Sequence, residues 1–280
     1  MIDLHTHTTA SDGRYPPAEL VARAASAGVT VLAVTDHDTV SGCGAAAAAC
    51  AAAGIAFVPG IEITAIHDEV DVHILGYFFD LTSPGLLTFL GEQRRQRLER
   101  LRLMIDRLGE LGMPLDADAI LQPAVDDPTK SAGRPWIAAQ LVAAGHVATV
   151  NEAFDKWLER GKPAFVSRVG AGPADVIAYI HDAGGVASIA HPILLRRDAW
   201  IADLVANGLD ALEAYHSKHD PAAVERYLAM AASLHISVTG GSDFHGHNTH
   251  GPFAPGSTSL PKAAYDALVL AAAAKQRFAH

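Results

Sequence analysis

His5-Thr6-His7 lies directly after a short apolar run (Ile2, Leu4), and Ser242-Asp243-Phe244-His245 lies directly after another (Ile236, Val238). Between them come Asp12, Thr35-Asp36-His37-Asp38, the isolated carboxylate Glu62, the isolated imidazole His73 and Ala190-His191-Pro192. In a barrel of parallel strands, the residues just past each strand's C-terminal end meet in one crater. His5, His7, Asp12, His37, Glu62, His73, His191, Asp243 and His245 would then converge from across the whole chain. Imidazoles and carboxylates gathered in this way are the ligand set of divalent cations that activate water. An HxH on a strand puts both imidazoles on one face, because side chains alternate with period two. One HxH is a weak signal. Repetition carries this one, since so many polar groups buried at strand ends without a common partner would each cost free energy.

Asp36 and Asp38 flank His37 and read equally well as acceptors that orient imidazole ligands or as a solvated turn. Asp3 is a similar candidate. His247 and His250 continue the cluster in sequence and read as loop histidines, His247 being the nearer to a contact.

The elements that must position these residues alternate strand and helix. Pro16 and Pro17 start a helix that Gly28 stops. Val29–Val34 is a strand leading into the Thr35–Asp38 turn, and Gly42 to Ala53 is a helix stopped by Gly54. Ile55–Val58 is a strand that delivers Glu62 a few residues later, and Val70–Tyr77 is a strand-like run that holds His73. The texture then changes. Gln93 to Leu111 is a long helix dense in arginine, with Leu98, Leu101, Ile105 and Leu108 at three- and four-residue spacing, and helical segments continue to about Arg160. Residues 80–166 read as a helical insertion over the mouth of a barrel formed by 1–79 and 167–280. The alternation resumes at Pro173. Val186–Ile189 delivers His191, Leu209–Ala214 leads into Tyr215-His216-Ser217-Lys218-His219, and Ile236–Thr239 delivers Asp243.

The chain has 280 residues, enough for one large α/β barrel, and 50% of them are hydrophobic. Its 31 acidic and 21 basic residues give a formal charge of −10, which argues against a broad nucleic-acid surface and against DNA as a partner. Cys43 and Cys50 sit seven apart in an Ala-rich helix, too far for a disulfide and in keeping with a reducing cytoplasm. No leader and no apolar run of membrane-spanning length is present, so a soluble cytoplasmic protein without a membrane partner is expected.

Asp3-Leu4-His5-Thr6-His7 with Ser11-Asp12-Gly13, Thr35-Asp36-His37-Asp38-Thr39, Pro59-Gly60-Ile61-Glu62, His73-Ile74-Leu75-Gly76, Ala190-His191-Pro192 and Gly241-Ser242-Asp243-Phe244-His245 together resemble the full motif set of the PHP (polymerase and histidinol phosphatase) phosphoesterases. The motifs run from residue 3 to 245. The insertion, with Gly133-Arg134-Pro135 and Gly161–Val166, resembles the stand-alone branch of that family, which contains a 3′,5′-nucleoside bisphosphate phosphatase and a 5′-to-3′ exoribonuclease of short RNAs. The resemblance to the former is the closer. It implies a distorted (β/α)7 barrel and three divalent metals, often manganese, with zinc or iron as alternatives. Carried onto this sequence, His5, His7, Glu62 and Asp243 would hold one metal. Glu62, His73 and His191 would hold a second, with Glu62 bridging, and Asp12, His37 and His245 a third. Trp136 departs from the pattern, since relatives often carry His after Arg-Pro.

Read from the residues alone, Pro128–Pro135 is a loop entering a helix, whose free N–H groups and positive dipole end attract anions. Lys130, Ser131 and Arg134 are therefore expected to clamp a phosphate, and Arg134 can grip one bidentately. Arg168, His216, Lys218 and His219 are further candidates, the last three because they follow a barrel strand. Arg94, Arg95, Arg97 and Arg100 read mainly as solvated or paired with Glu99, and Trp136, Phe165 and Tyr215 as rings for a base or for the core. The expected enzyme is a metal-dependent phosphomonoesterase that removes the 3′-phosphate of a nucleoside 3′,5′-bisphosphate and leaves a 5′-nucleotide such as AMP. Activated water attacks the phosphorus in line, Asp12, His37 and His191 serve catalysis, and His191 or a bound water protonates the leaving alkoxide. The alternatives are an exoribonuclease on short 5′-phosphorylated RNA, which needs the same attack, and histidinol phosphate hydrolysis, which needs no second phosphate clamp. A metal-dependent binding module without turnover is the remaining class, and the complete ligand set argues against it.

Overall fold

The computed structural model describes residues 1–246 and 254–276, so His247 and His250 lie outside the described residues. Seven strands form one sheet in chain order: β1 (Ile2–Asp3), β2 (Val31–Val34), β3 (Ala56–His67), β4 (Val70–Tyr77), β5 (Val186–Ile189), β6 (Ala211–His216) and β7 (Ser237–Gly241). The chain beyond β1 pairs with the chain beyond β7. Leu4 N–H donates to Gly240 O at 3.2 Å, Asp243 N–H to His5 O at 2.8 Å and His7 N–H to Phe244 O at 2.9 Å. These bonds bring the sheet round into a barrel, the distorted α/β barrel expected from the motifs. Helices Pro17–Ser26, Cys43–Ala53, Pro173–Asp182, Trp200–Ala206, Pro221–Leu234 and Lys262–Gln276 pack around it.

One strand breaks the all-parallel expectation. β4 runs antiparallel to both β3 and β5. The cause is local: only Asp68 and Glu69 join β3 to β4, both with positive φ (48° and 60°), and a two-residue turn of that kind makes a hairpin. The consequence is functional. β3 runs on past the expected end at Val58, so Glu62 sits inside a strand rather than beyond one, while His73 lies within β4 as expected. Thr64 pairs with His73 and Glu62 with Leu75, which places Glu62 and His73 on the same face of the hairpin.

Between β4 and β5 the chain forms helices Pro84–Glu110, Ala117–Asp126, Arg134–Ala143 and Val150–Ala153, the last running on as a π turn, Phe154–Leu158. This segment buries a core of its own, including Leu101, Met104, Leu108, Ile120, Leu121, Ile137, Leu141 and Leu158. The first turns of its long helix serve the barrel instead, where Leu86 and Leu90 pack with Ile63, Ile74 and Ile180. Cys43 and Cys50 are free and buried. No helix among the described residues is long and apolar enough to cross a membrane.

The barrel seam is held by one carboxylate. Asp3 Oδ1 accepts from Ser242 N–H at 2.9 Å, and Oδ2 accepts from Ser242 Oγ–H at 2.7 Å and Gly256 N–H at 2.7 Å. All of these groups are buried, so removing the acceptor strands donors at about 1–3 kcal/mol each. Asp3→Ala is therefore expected to lower the unfolding free energy by about 3 kcal/mol or more, read as a fall in the denaturant midpoint. An unchanged midpoint would show that the seam is held by the backbone bonds alone.

Candidate metal centre and anion pocket

Glu62 is 1% exposed and lies at the middle of the cluster. Its Oε2 stands 3.3 Å from His5 Nε2, 3.3 Å from His7 Nε2 and 3.2 Å from His37 Nδ1. Its Oε1 stands 2.7 Å from His73 Nδ1 and 3.1 Å from His191 Nε2. Asp243 Oδ1 adds a second carboxylate 3.3 Å from His5 Nε2 and 3.2 Å from His7 Nε2. Asp12 lies to one side, its oxygens 3.4 Å from His245 Nε2, 3.7 Å from His37 Nε2 and 3.7 Å from His7 Nδ1. All nine residues singled out by their types and spacing are brought into this one cluster.

The donor set fits divalent cations. Ligands about 2.1 Å from a tetrahedral ion stand roughly 3.4 Å from one another, and the 3.2 to 3.3 Å contacts of His5 and His7 with Glu62 and Asp243 come close to that spacing. Both ring nitrogens of His7 and Nδ1 of His37 are buried without a hydrogen-bond partner, although carboxylate oxygens lie close by. These groups converge on shared points rather than on each other. Within the described residues, donors from His7, Asp12, His37 and His245, from His5, Glu62 and His191, from His37, Glu62 and His73, and from His5, His216 and Asp243 lie close enough to share an ion. His216 is thus a further potential ligand, its Nε2 3.3 Å from Asp243 Oδ2.

Burial pushes the Glu62 carboxyl up, but His37, His73 and His5 around it outweigh that and hold it well below the usual carboxylate range. Asp243 is treated the same way by His5 and His245, and Asp12 by His245 and His37. The backbone bends to place these groups. His191 and Asp243 have φ of 27° and 53°, and Asp38 has 51°. Asp tolerates the left-handed region, whereas for His191 it is strained, at about 1–3 kcal/mol.

The carboxylates around the cluster divide their work in a way the sequence left open. Among the described residues Asp36 bonds no imidazole: it accepts from Thr8 N–H at 2.7 Å and from the hydroxyls of Thr8 and Ser11 at 2.6 Å each, bracing the loop that carries Asp12. Asp38 accepts from Thr64 N–H at 3.0 Å, from Arg97 Nε at 2.5 Å and from Arg168 Nη2 at 2.7 Å. The residue that orients an imidazole is Glu213, buried in β6. Its Oε1 lies 2.9 Å from His5 Nδ1 and its Oε2 accepts from His191 N–H at 2.7 Å. Sequence reasoning missed it because a glutamate inside a strand carries no motif. The available signal was a charge where the face alternation demands an inward side chain.

The cluster forms part of a cavity of about 300 Å³ that is also lined by Arg97, Arg100, Arg134, Arg168 and Lys218. Arg97 and Arg100 correct the solvated reading of their helix. Gln93, Arg97, Arg100 and Met104 follow three- and four-residue spacing and continue the buried stripe of Leu86 and Leu90, while Arg95 faces outward and pairs with Glu92 and Glu99. Arg94 instead donates to the carbonyls of Pro128 and Asp38. Arg100 and Arg168 are only 8% and 5% exposed, and Arg100 Nη2 and Arg168 Nε have no hydrogen-bond partner. Burial and the neighbouring Arg134 push the Arg100 guanidinium down to about 9, with Asp71 opposing them. Guanidinium N–H groups buried and unsatisfied beside a cavity call for an anion.

Among the expected phosphate contacts, Lys130, Ser131 and His219 do not line this cavity. Lys130 lines a neighbouring cavity of about 490 Å³ with Trp136 and Gln140, which meets the first at Asp12 and Pro135. Ser131 is buried and does not line the first cavity, and its N–H is bound to Ala10 O at 2.9 Å. His219 is turned back by a tight bend, with its N–H on His216 O and its ring on Ala214 O and against Tyr227, because Asp220 next to it caps the following helix. Arg134 does line the cavity. Phe165 packs under Arg100, and Tyr215 packs in the barrel core.

The sequence profile of the PHP domain matches residues 3–99. The chain is 35% identical over 250 residues to the 5′-3′ exoribonuclease Rnm of Salmonella typhimurium, covering 87% of this chain and 84% of that one. It is 36% identical over 251 residues to a 3′,5′-nucleoside bisphosphate phosphatase of Chromobacterium violaceum, covering 87% of each. A solved structure from Bifidobacterium adolescentis, assigned as a metal-dependent phosphoesterase, superimposes with a TM-score of 0.87 at 32% identity, covering 96% of this chain and 95% of that one. With its barrel, its nine convergent imidazoles and carboxylates and relatives of matching length, this chain belongs to the PHP domain family.

Proposed function

We propose that this protein is a metal-dependent phosphomonoesterase that removes the 3′-phosphate from nucleoside 3′,5′-bisphosphates. The observation that carries the reading is the pairing, in one cavity, of a cation-binding cluster with guanidiniums whose buried N–H groups lack acceptors. A substrate with two phosphates answers both. The name of the Chromobacterium relative supports the same choice. Residues 1–79 and 167–280 act as the barrel domain, and 80–166 as a lid that brings Arg97, Arg100 and Arg134 over the cluster.

Three divalent cations, manganese being the natural choice, would be held by His5, His7, Glu62 and Asp243, by Glu62, His73 and His191, and by Asp12, His37 and His245. When bound, such ions lower the pKa of water and neutralise charge on phosphoryl oxygens. The chain's own groups do the rest. Glu213 takes the Nδ1–H of His5 and so presents Nε2 as a lone pair. Asp38 fixes Arg97 and Arg168. Arg100 and Arg134 bind the 5′-phosphate, so that its binding energy positions the scissile one. His191, which lines the cavity, or a bound water would protonate the leaving ribose oxygen.

A second reading, stepwise cleavage of short 5′-phosphorylated RNA, is favoured by the neighbouring cavity, where Trp136 offers a surface for one more base. A product assay separates the two. Protein stripped with chelator and restored with Mn²⁺ is offered adenosine 3′,5′-bisphosphate and a 5′-phosphorylated RNA tetramer. Fast release of phosphate and AMP with a slow tetramer is expected, and fast shortening of the tetramer would make RNA the substrate. Chelation alone should also lower the unfolding temperature, because the ions bind only the folded chain. Arg134→Gln should raise KM for the bisphosphate by roughly 10- to 100-fold, the worth of a charged hydrogen bond, and an unchanged KM would favour a substrate with one phosphate. Glu213→Gln should weaken metal affinity roughly 10- to 100-fold, measured by metal titration; unchanged affinity would mean that His5 is oriented by packing alone.

A further inference from the structure

The four cavity arginines are not neutralised alike. Asp38 forms close pairs with Arg97 and Arg168, at 2.5 and 2.7 Å. Arg100 and Arg134 share a single carboxylate, Asp71, whose Oδ2 stands 3.9 Å from Arg100 Nη1 and 4.0 Å from Arg134 Nη2. Those distances are beyond hydrogen bonding. Their remaining close acceptors are backbone carbonyls: Arg100 Nε donates to Val166 O at 2.8 Å and Arg134 Nη1 to Leu158 O at 3.4 Å. Asp71 lines the cavity and is 21% exposed. It belongs to β4, two residues before His73, so both side chains leave the strand on the same face.

We propose that Asp71 is a specificity-determining residue, an internal anion that competes with the substrate's second phosphate for Arg100 and Arg134. This rests on the two-phosphate reading above. The carboxylate lies near enough to offset the repulsion between the two guanidiniums, and far enough to leave their N–H groups for a better acceptor. A phosphate dianion offers more oxygens and more charge than the carboxylate, so it binds there in spite of Asp71, whereas a weaker anion such as a carboxylate does not. Asp71 thus lowers the affinity of this end of the cavity for the second phosphate and so sets how strongly a ligand carrying one is preferred. A residue that instead held the two arginines in position would act in the opposite sense, since its removal would weaken phosphate binding.

The test is the ratio of kcat/KM for adenosine 3′,5′-bisphosphate to that for adenosine 3′-monophosphate, measured on the Mn²⁺-loaded full chain. Asp71→Asn keeps size and shape and removes the charge. The ratio is expected to rise by roughly fivefold to tenfold, through a lower KM for the bisphosphate. In an Arg134→Gln background the same substitution should raise it less, because one partner of Asp71 is gone. A ratio that falls would overturn the proposal in favour of a positioning role. A ratio that stays fixed while both substrates slow equally would overturn it in favour of a structural role in the hairpin. Wild-type protein with no preference for the bisphosphate would remove the two-phosphate reading and this proposal together, whereas a wild-type preference that Asp71→Asn leaves unmoved would remove this proposal only.

Discussion

A carboxylate cannot stay ionised in a dry interior without partners, and Glu62 is buried at the heart of this barrel. Its two oxygens are met by five imidazoles, three on one oxygen and two on the other. The five come from four parts of the chain: the segment beyond β1 supplies His5 and His7, the segments beyond β2 and β5 supply His37 and His191, and the body of β4 supplies His73. The closure of the sheet, the hairpin between β3 and β4 and the left-handed residue at His191 all serve to bring those rings to one point. An open sheet or a parallel β4 would leave the carboxylate short of nitrogen. The division of nitrogens between the two oxygens also makes Glu62 suited to bridging, because each oxygen belongs to a different set of ligands.

Around this centre a second tier of carboxylates fixes the loops. Asp3 closes the seam, Asp36 braces the Asp12 loop, Asp38 ties the β2 end to β3 and to two arginines, and Glu213 orients His5 while holding the backbone of His191. Each is buried, and each is satisfied by several donors. The formal charge of −10 is thus partly a list of structural acceptors, and it says little about the sign of the site.

The centre was legible because chemistry of this kind needs rare residue types at strand ends, and strand ends can be read from apolar runs. The anion pocket was not, for a different reason. Arg97 and Arg100 occur in a helix whose neighbours Arg95, Glu92 and Glu99 form an ordinary solvated face. Composition averages the two faces together, and only the spacing from Leu86 and Leu90 separates them. Lys130 and Ser131 were expected at the site because they flank a helix start, but proximity in sequence to Arg134 did not fix direction: one residue along a loop turns a side chain into the next cavity. The antiparallel β4 was also hidden, since Asp68-Glu69 is not a preferred turn pair and the run before it looked complete at Val58.

The hairpin also links the cluster to the pocket. β4 carries His73 and Asp71 on the same face, separated by one pleat of the strand, about 6.6 Å. The strand fixes only the spacing of those two side chains; Arg100 and Arg134 approach Asp71 from the helices Pro84–Glu110 and Arg134–Ala143. A ligand with two anionic groups at a matching separation can satisfy both ends without distorting either, and a ligand with one leaves an unsatisfied group behind. Discrimination by unsatisfied buried groups is stronger than discrimination by apolar fit. In this barrel the spacing of His73 and Asp71 is set by a two-residue turn, a strand of eight residues and the alternation of side chains along it.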